Sequence, residues 1–263
     1  MVYHFSRSGK KNLHKSAAAI AKDGDVCDNR GRIYEMREGT MTKRLFWQAM
    51  GKFWLGVLGV GALIFLPAGT LQFGQGWLLM GVLFVPMFLA GLFLMAKDPD
   101  RLRRRLDARE KEMTQKRVLA LSGLMFLTAF VLAGLSFRFG FLRFPGWVSI
   151  LGAVLFLLGY VLYAFVLKEN AYLARTIQVE QGQKVVDTGL YGVVRHPMYA
   201  ATLLLFLSMP LILGSLLAFL VMLVYPFLIA RRIQNEEQVL LRELPGYGAY
   251  RQKVRWRMIP YIW

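Results

Sequence analysis

The chain has 263 residues, 56% of them hydrophobic, with a mean hydropathy of +0.41 and a net charge of +17. Apolar residues gathered in blocks of membrane-spanning length exclude a soluble domain, and the single cysteine, Cys27, excludes an internal disulfide or a cysteine-held metal cluster. With only His4, His14 and His196 as histidines, no metal site is expected, and the basic charge reports membrane topology and not nucleic acid.

Residues 1–40 are polar and basic, lack a sustained apolar period, and predict a segment without fixed structure. The run Ser16-Ala17-Ala18-Ala19-Ile20-Ala21 is too short and too weakly apolar for a signal-peptide core. Met41-Thr42-Lys43-Arg44-Leu45-Phe46-Trp47 then reads as a natural beginning, a basic amphipathic entry to the membrane with Trp47 and Trp54 at interfacial depth. Apolar blocks at 53–73 and 77–96 each approach the roughly 20 residues a helix needs to cross the hydrocarbon core.

Asp98-Pro99-Asp100 is a helix-start signal, and the arginines that follow at 101, 103, 104 and 105 predict a solvated helix drawn to anionic headgroups. Two more spans are expected at 118–137 and 147–167. The stretch 176–189 is extended, with β-branched residues and Gly182 at a turn, and predicts a short hairpin or folded loop over the membrane surface. The block 198–230 is too long for one span; Pro210 and Gly214-Ser215 mark its middle, so a helical hairpin is expected.

Six spans, counting that hairpin as two, make the charge pattern consistent. Eleven Lys/Arg precede residue 53, nine lie in 97–117, four in 168–195 and seven from 231 on, whereas the 71–76 turn has none and the 138–146 loop has only Arg138 and Arg143. The excess of positive charge on one side assigns both termini and the 97–117 and 168–197 loops to the cytoplasm. Three regions result: 1–40, a four-helix membrane region at 41–168, and a core at 169–263.

The core carries the chemistry. Gly189-Leu190-Tyr191-Gly192-Val193-Val194-Arg195-His196-Pro197-Met198-Tyr199 enters the hairpin, and Arg232-Ile233-Gln234-Asn235-Glu236-Glu237 leaves it, so an apolar hairpin returns two polar clusters to one membrane face. Arg232 and Glu236 are four residues apart on one helical face. Glu237 lies about 100° round that helix and is expected to be solvated or to pair with Arg242.

With Leu240, Gly246, Tyr247, Tyr250 and the close Val254-Arg255-Trp256-Arg257-Met258-Ile259-Pro260, these motifs resemble the isoprenylcysteine carboxyl methyltransferases and the related phospholipid methyltransferases over about 178–260. That resemblance implies an all-α polytopic membrane enzyme of about six transmembrane helices with a cytosol-facing pocket for S-adenosylmethionine. It implies cofactor contacts at Gln178, Lys184, Val185, Val186, Tyr191, His196, Pro197, Met198, Tyr199 and Glu236, and places Arg232 toward the methyl acceptor. The residue types suit the donor: His196 can donate and accept, Pro197 starts a helix and aims the ring before it, Tyr191 and Tyr199 offer ring faces and hydroxyls, and Glu236 can accept from ribose or the amino group.

The implied acceptor is lipidic, most simply an isoprenylcysteine-type carboxylate entering from the inner leaflet. A phospholipid amine or a small thiol is the alternative, and there Glu236 or His196 is a candidate base. A transporter or membrane scaffold that only binds headgroups is a second alternative; the near-absence of ionisable residues within the first four spans argues against transport.

Overall fold

Proline and glycine set most helix boundaries in this chain, and the computed structural model describes residues 24–106, 113–170, 172, 179 and 182–263. The chain divides into two units, Met1–Met50 and Gly51–Trp263, and the cleft described below lies in the second. Helix α1 (Gly24–Ala68) enters it at Gly51 and ends at Gly69, whose φ of 70° suits glycine. Residues 1–23 lie outside the described residues. From Gly24 the backbone is helical where the polar composition predicted no fixed structure; no proline interrupts the hydrogen-bond ladder before Pro67.

Helix α2 (Gly74–Lys97) is followed by the short α3 (Pro99–Leu106), which begins at the expected proline, and then by α4 (Met113–Phe139) and α5 (Gly146–Glu169). The hairpin comprises α6 (Pro197–Ile212), a turn, α7 (Leu216–Met222) and α8 (Tyr225–Glu243), with α9 (Tyr247–Lys253) after it. Five stretches are long and apolar enough to cross a membrane, one of them the joined α7–α8 at Leu216–Glu243, and α6 is a shorter apolar helix. Six spans were expected; among the described residues five helices have the length and composition to cross, and α6, the first arm of the hairpin, is apolar but shorter. Leu55, Leu58, Phe93, Leu124 and Phe165 point outward, as lipid-facing side chains do in an integral membrane protein.

The hairpin turns where glycine and serine stand. Gly214 has φ of 69°, and Ser215 caps α7 by accepting from the Ala218 amide at 3.2 Å while its own hydroxyl donates to Ser136 at 3.0 Å. The 142–144 backbone crosses this turn: Phe144 donates to the Gly214 carbonyl and Leu216 to the Leu142 carbonyl, each at 2.9 Å. Helix α5 packs along α6 because two glycines let the backbones approach. A methyl group on Gly152 would lie 2.8 Å from the Ile212 amide nitrogen, and one on Gly159 would lie 2.8 Å from Leu205 Cγ.

The α7–α8 span bends at 223–224, just before Pro226, which has no amide proton to give the helix. Beyond the bend, α8 continues as an amphipathic helix whose buried stripe Tyr225, Ile229, Ile233, Glu237 advances by four residues at each step. Of the 176–189 stretch, 179 and 182–189 are described and carry no strand; among the described residues only isolated bridges occur, Arg143 with Ser215 and Val194 with Trp256, while 176–178, 180 and 181 lie outside the described residues.

Candidate active site

At the start of α6, Pro197 occupies the first helical turn, where its missing amide costs nothing, and His196 is the capping residue before it. The backbone ahead of α6 is held by the C-terminal segment: the Arg195 amide donates to the Trp256 carbonyl at 2.9 Å and the His196 amide to that of Arg257 at 2.7 Å. These bonds fix the direction in which the two side chains leave the chain.

Glu236 and Glu237 of α8 both meet this corner, with different surroundings. Glu237 is buried and accepts from Arg195 Nε at 2.7 Å, with His196 Nε2 at 3.3 Å and Arg257 Nε at 3.2 Å. The expectation that Glu237 is solvated or paired with Arg242 is therefore wrong. Arg242 is exposed and pairs with Glu243 at 2.8 Å, while the four-residue stripe carries Glu237 inward beneath the C-terminal segment. A carboxylate accepts and cannot donate, so the contact with His196 puts a proton on Nε2 and leaves Nδ1 3.9 Å from Glu236 Oε1.

Glu236 is more open. The Tyr199 hydroxyl donates to its Oε2 at 2.5 Å and accepts from Arg232 Nε at 2.9 Å, so a phenol links the guanidinium to the carboxylate. The Arg232 guanidinium lies 5.9 Å from the centre of the Tyr199 ring, and the buried Gln115 of α4 donates to the Arg232 carbonyl at 3.3 Å.

The loop before α6 is clamped at three points. The Leu190 amide donates to Glu169 Oε2 at 2.8 Å, Asn170 Nδ2 donates to the Tyr191 hydroxyl at 3.0 Å, and the Tyr250 hydroxyl donates to the Tyr191 carbonyl at 2.8 Å. Gly189 permits the first clamp: its φ is 54°, and a side chain there would overlap the Glu169 carboxylate. At the surface Lys253 Nζ donates to Asp187 at 2.9 Å, and that bond and charge hold the Asp187 carboxyl below its ordinary range.

These elements enclose a cleft lined by both polar and apolar side chains. Lys184, Val185, Val186, Tyr191, His196, Met198, Tyr199, Arg232 and Glu236 all line it. Pro197 does not; it is fully buried and acts through the helix start. Gln178 lies outside the described residues. Sequence reasoning did not assign Asn170, Tyr172, Gln183, Arg195, Leu240, Leu244, Tyr247 and Tyr250 to the lining, nor Glu237 and Arg257 as supports. The signal for Glu237 was present in the Tyr225-Ile229-Ile233-Glu237 spacing. Among the described residues, no group of three or more His, Cys, Asp or Glu side chains is placed to hold a metal ion.

The lining fits S-adenosylmethionine in kind. A partly exposed carboxylate and an imidazole stand beside an apolar wall of Val185, Leu240 and Leu244, and the Tyr247 hydroxyl in the lining is buried without a hydrogen-bond partner among the described residues.

The mouse Delta(14)-sterol reductase TM7SF2 is 32% identical over 91 residues, 34% of this chain, and this chain spans only 22% of that protein's length. The solved structure of the eukaryotic intramembrane Ras methyltransferase ICMT (isoprenylcysteine carboxyl methyltransferase) aligns with 81% of this chain and 86% of its own, at a TM-score of 0.44 and 20% identity. Residues 147–246, which include most of the cleft lining, match the phospholipid methyltransferase family model. Over that stretch this chain is similar to the phospholipid methyltransferases, one of the two related families that its C-terminal motifs resemble.

Proposed function

We propose that this protein is a membrane methyltransferase that binds S-adenosylmethionine in the cleft at the start of α6 and methylates a lipidic acceptor, most simply a carboxylate of isoprenylcysteine type. The observation that carries this reading is the chain of contacts Arg232–Tyr199–Glu236 along one wall of the cleft, a cation and a carboxylate held apart by a phenol. Bound there, S-adenosylmethionine supplies a methyl group on a sulfonium, already activated for in-line displacement by a carboxylate without movement of a proton.

The protein's part is alignment and exclusion of water. Glu236 sets negative charge where the donor's cationic part belongs, and the Tyr199 hydroxyl keeps that carboxylate oriented. Arg232 offers its guanidinium to the acceptor, which a planar carboxylate matches better than a point charge would. Glu237, held by two arginines, keeps His196 in place. Both termini and the cleft face the cytoplasm, following the basic loops, and the acceptor enters sideways between helices from the inner leaflet.

The matched family's description favours a second reading, a phospholipid amine as acceptor. Radiolabelled methyl transfer from S-adenosylmethionine in detergent into prenylcysteine analogues, aminophospholipids and short thiols separates the two. On the carboxylate reading, Arg232→Ala lowers methyl transfer at least tenfold with cofactor affinity nearly intact, and Arg232→Lys rescues in part. Amine methylation that survives Arg232→Ala sinks the carboxylate assignment, and activity confined to thiols sinks lateral entry.

A further inference from the structure

The cleft has two chemically different ends. One is polar, formed by Arg195, His196, Arg232 and Glu236 with their mutual contacts. The other is apolar: Val185 and Leu240 pack against Leu244, Tyr247, Tyr250 and Val254 in a small hydrophobic cluster separate from the main core. A ligand with a charged amino-acid part and a nearly neutral planar part fits in one direction. Charge buried against Leu240 and Leu244 would lack a partner, whereas a flat ring loses little by desolvation there.

Three tyrosine hydroxyls in the lining are committed to protein partners. Tyr191 receives the Asn170 amide, Tyr199 stands between Arg232 and Glu236, and Tyr250 donates to the Tyr191 carbonyl. Tyr247 differs. Its side chain is 3% exposed, and its buried hydroxyl has no hydrogen-bond partner among the described residues. Burial, reinforced by the carboxylates of Glu237 and Glu236, pushes its ionisation up, so the hydroxyl keeps its proton at neutral pH and remains a donor. An unsatisfied buried hydroxyl is costly, and in a cleft wall its natural explanation is a partner carried by the ligand.

We propose that Tyr247 contacts the cofactor, its hydroxyl donating to a ring nitrogen of the purine of S-adenosylmethionine seated against Val185, Leu240 and Leu244. This rests on the methyltransferase reading above. The purine's ring nitrogens accept and cannot donate, and Tyr247, packed in the apolar cluster with its hydroxyl within reach of the fields of Glu236 and Glu237, is a buried donor in the lining without a protein partner among the described residues. The contact orients the nucleoside and leaves the methyl group toward Tyr199 and Arg232.

The test is calorimetry on the full-length protein in detergent, wild type and Tyr247→Phe, with S-adenosylhomocysteine and its 1-deaza, 3-deaza and 7-deaza analogues. Tyr247→Phe should bind S-adenosylhomocysteine about tenfold more weakly, the scale of one lost hydrogen bond, with an unchanged thermal transition. One of the three analogues should lose a similar factor on the wild type and nothing further on Tyr247→Phe, because the same bond is already gone. Unchanged affinity in Tyr247→Phe overturns the assignment, as does a variant that weakens all three analogues by one common factor. Failure of the wild type to bind S-adenosylhomocysteine would instead overturn the methyltransferase reading, and this inference with it.

Discussion

Removing the Glu237 carboxylate should unsettle the protein more than any other single change at the site. Its side chain and that of Arg195 are each 4% exposed, 2.7 Å apart, and the carboxylate also faces His196 Nε2 and Arg257 Nε. Truncating one partner of a buried ion pair costs about 3–5 kcal/mol, because the other charge stays in a site that cannot solvate it. Arg195 keeps two neutral acceptors, the carbonyls of Val254 at 2.6 Å and Arg255 at 2.8 Å, which puts Glu237→Ala near the low end of that range. Arg257 is more exposed and adds little. The assay is denaturant unfolding in detergent micelles for Glu237→Ala, Arg195→Met and the double variant. With both charges gone, the double variant should recover at least about 2 kcal/mol relative to the sum of the single losses. A loss under about 1 kcal/mol in Glu237→Ala, or strict additivity, would refute the account of a buried cluster that depends on this carboxylate.

His196→Ala and Glu236→Ala should each weaken S-adenosylmethionine binding by about 1–3 kcal/mol, the scale of a buried or charge-assisted hydrogen bond, and calorimetry showing unchanged affinity in both would move the pocket elsewhere. Gly189→Ala should release the loop at 182–192 from Glu169, since an added methyl both strains a φ of 54° and overlaps the carboxylate. The expected result is faster amide exchange at Leu190 and Tyr191 with the helices unaffected; exchange identical to wild type would show that Glu169 moves aside without consequence.

How much of this was legible in the sequence follows from the range of each signal. The spans and the hairpin turn are local patterns, and Gly214-Ser215 marks the turn because both its left-handed backbone and its cap are chosen by residue type. His196 and Arg232 are brought to one cleft by a hairpin whose length the sequence states directly. Glu237 was misread because neighbouring carboxylates on an amphipathic helix look alike until the covering element is known. Here that element is the segment around Trp256 and Arg257, whose pairing with Arg195 and His196 leaves no periodic trace. The 176–189 stretch has the β-branched residues of a strand, but its described residues form no strand and run into a turn at 189–192 held by Glu169 and Tyr250.

Among the described residues, those that line the cleft come from position 170 or later, while Gln115 of α4 supports it from behind Arg232. A layout of that kind separates two pressures on a gene. Drift in the leading helices leaves the chemistry untouched so long as their inner faces still fit, and the trailing segment can be inherited as a unit beside very different forward halves. Grafting that trailing segment onto a foreign membrane bundle is therefore a rational route to new acceptors with an old donor.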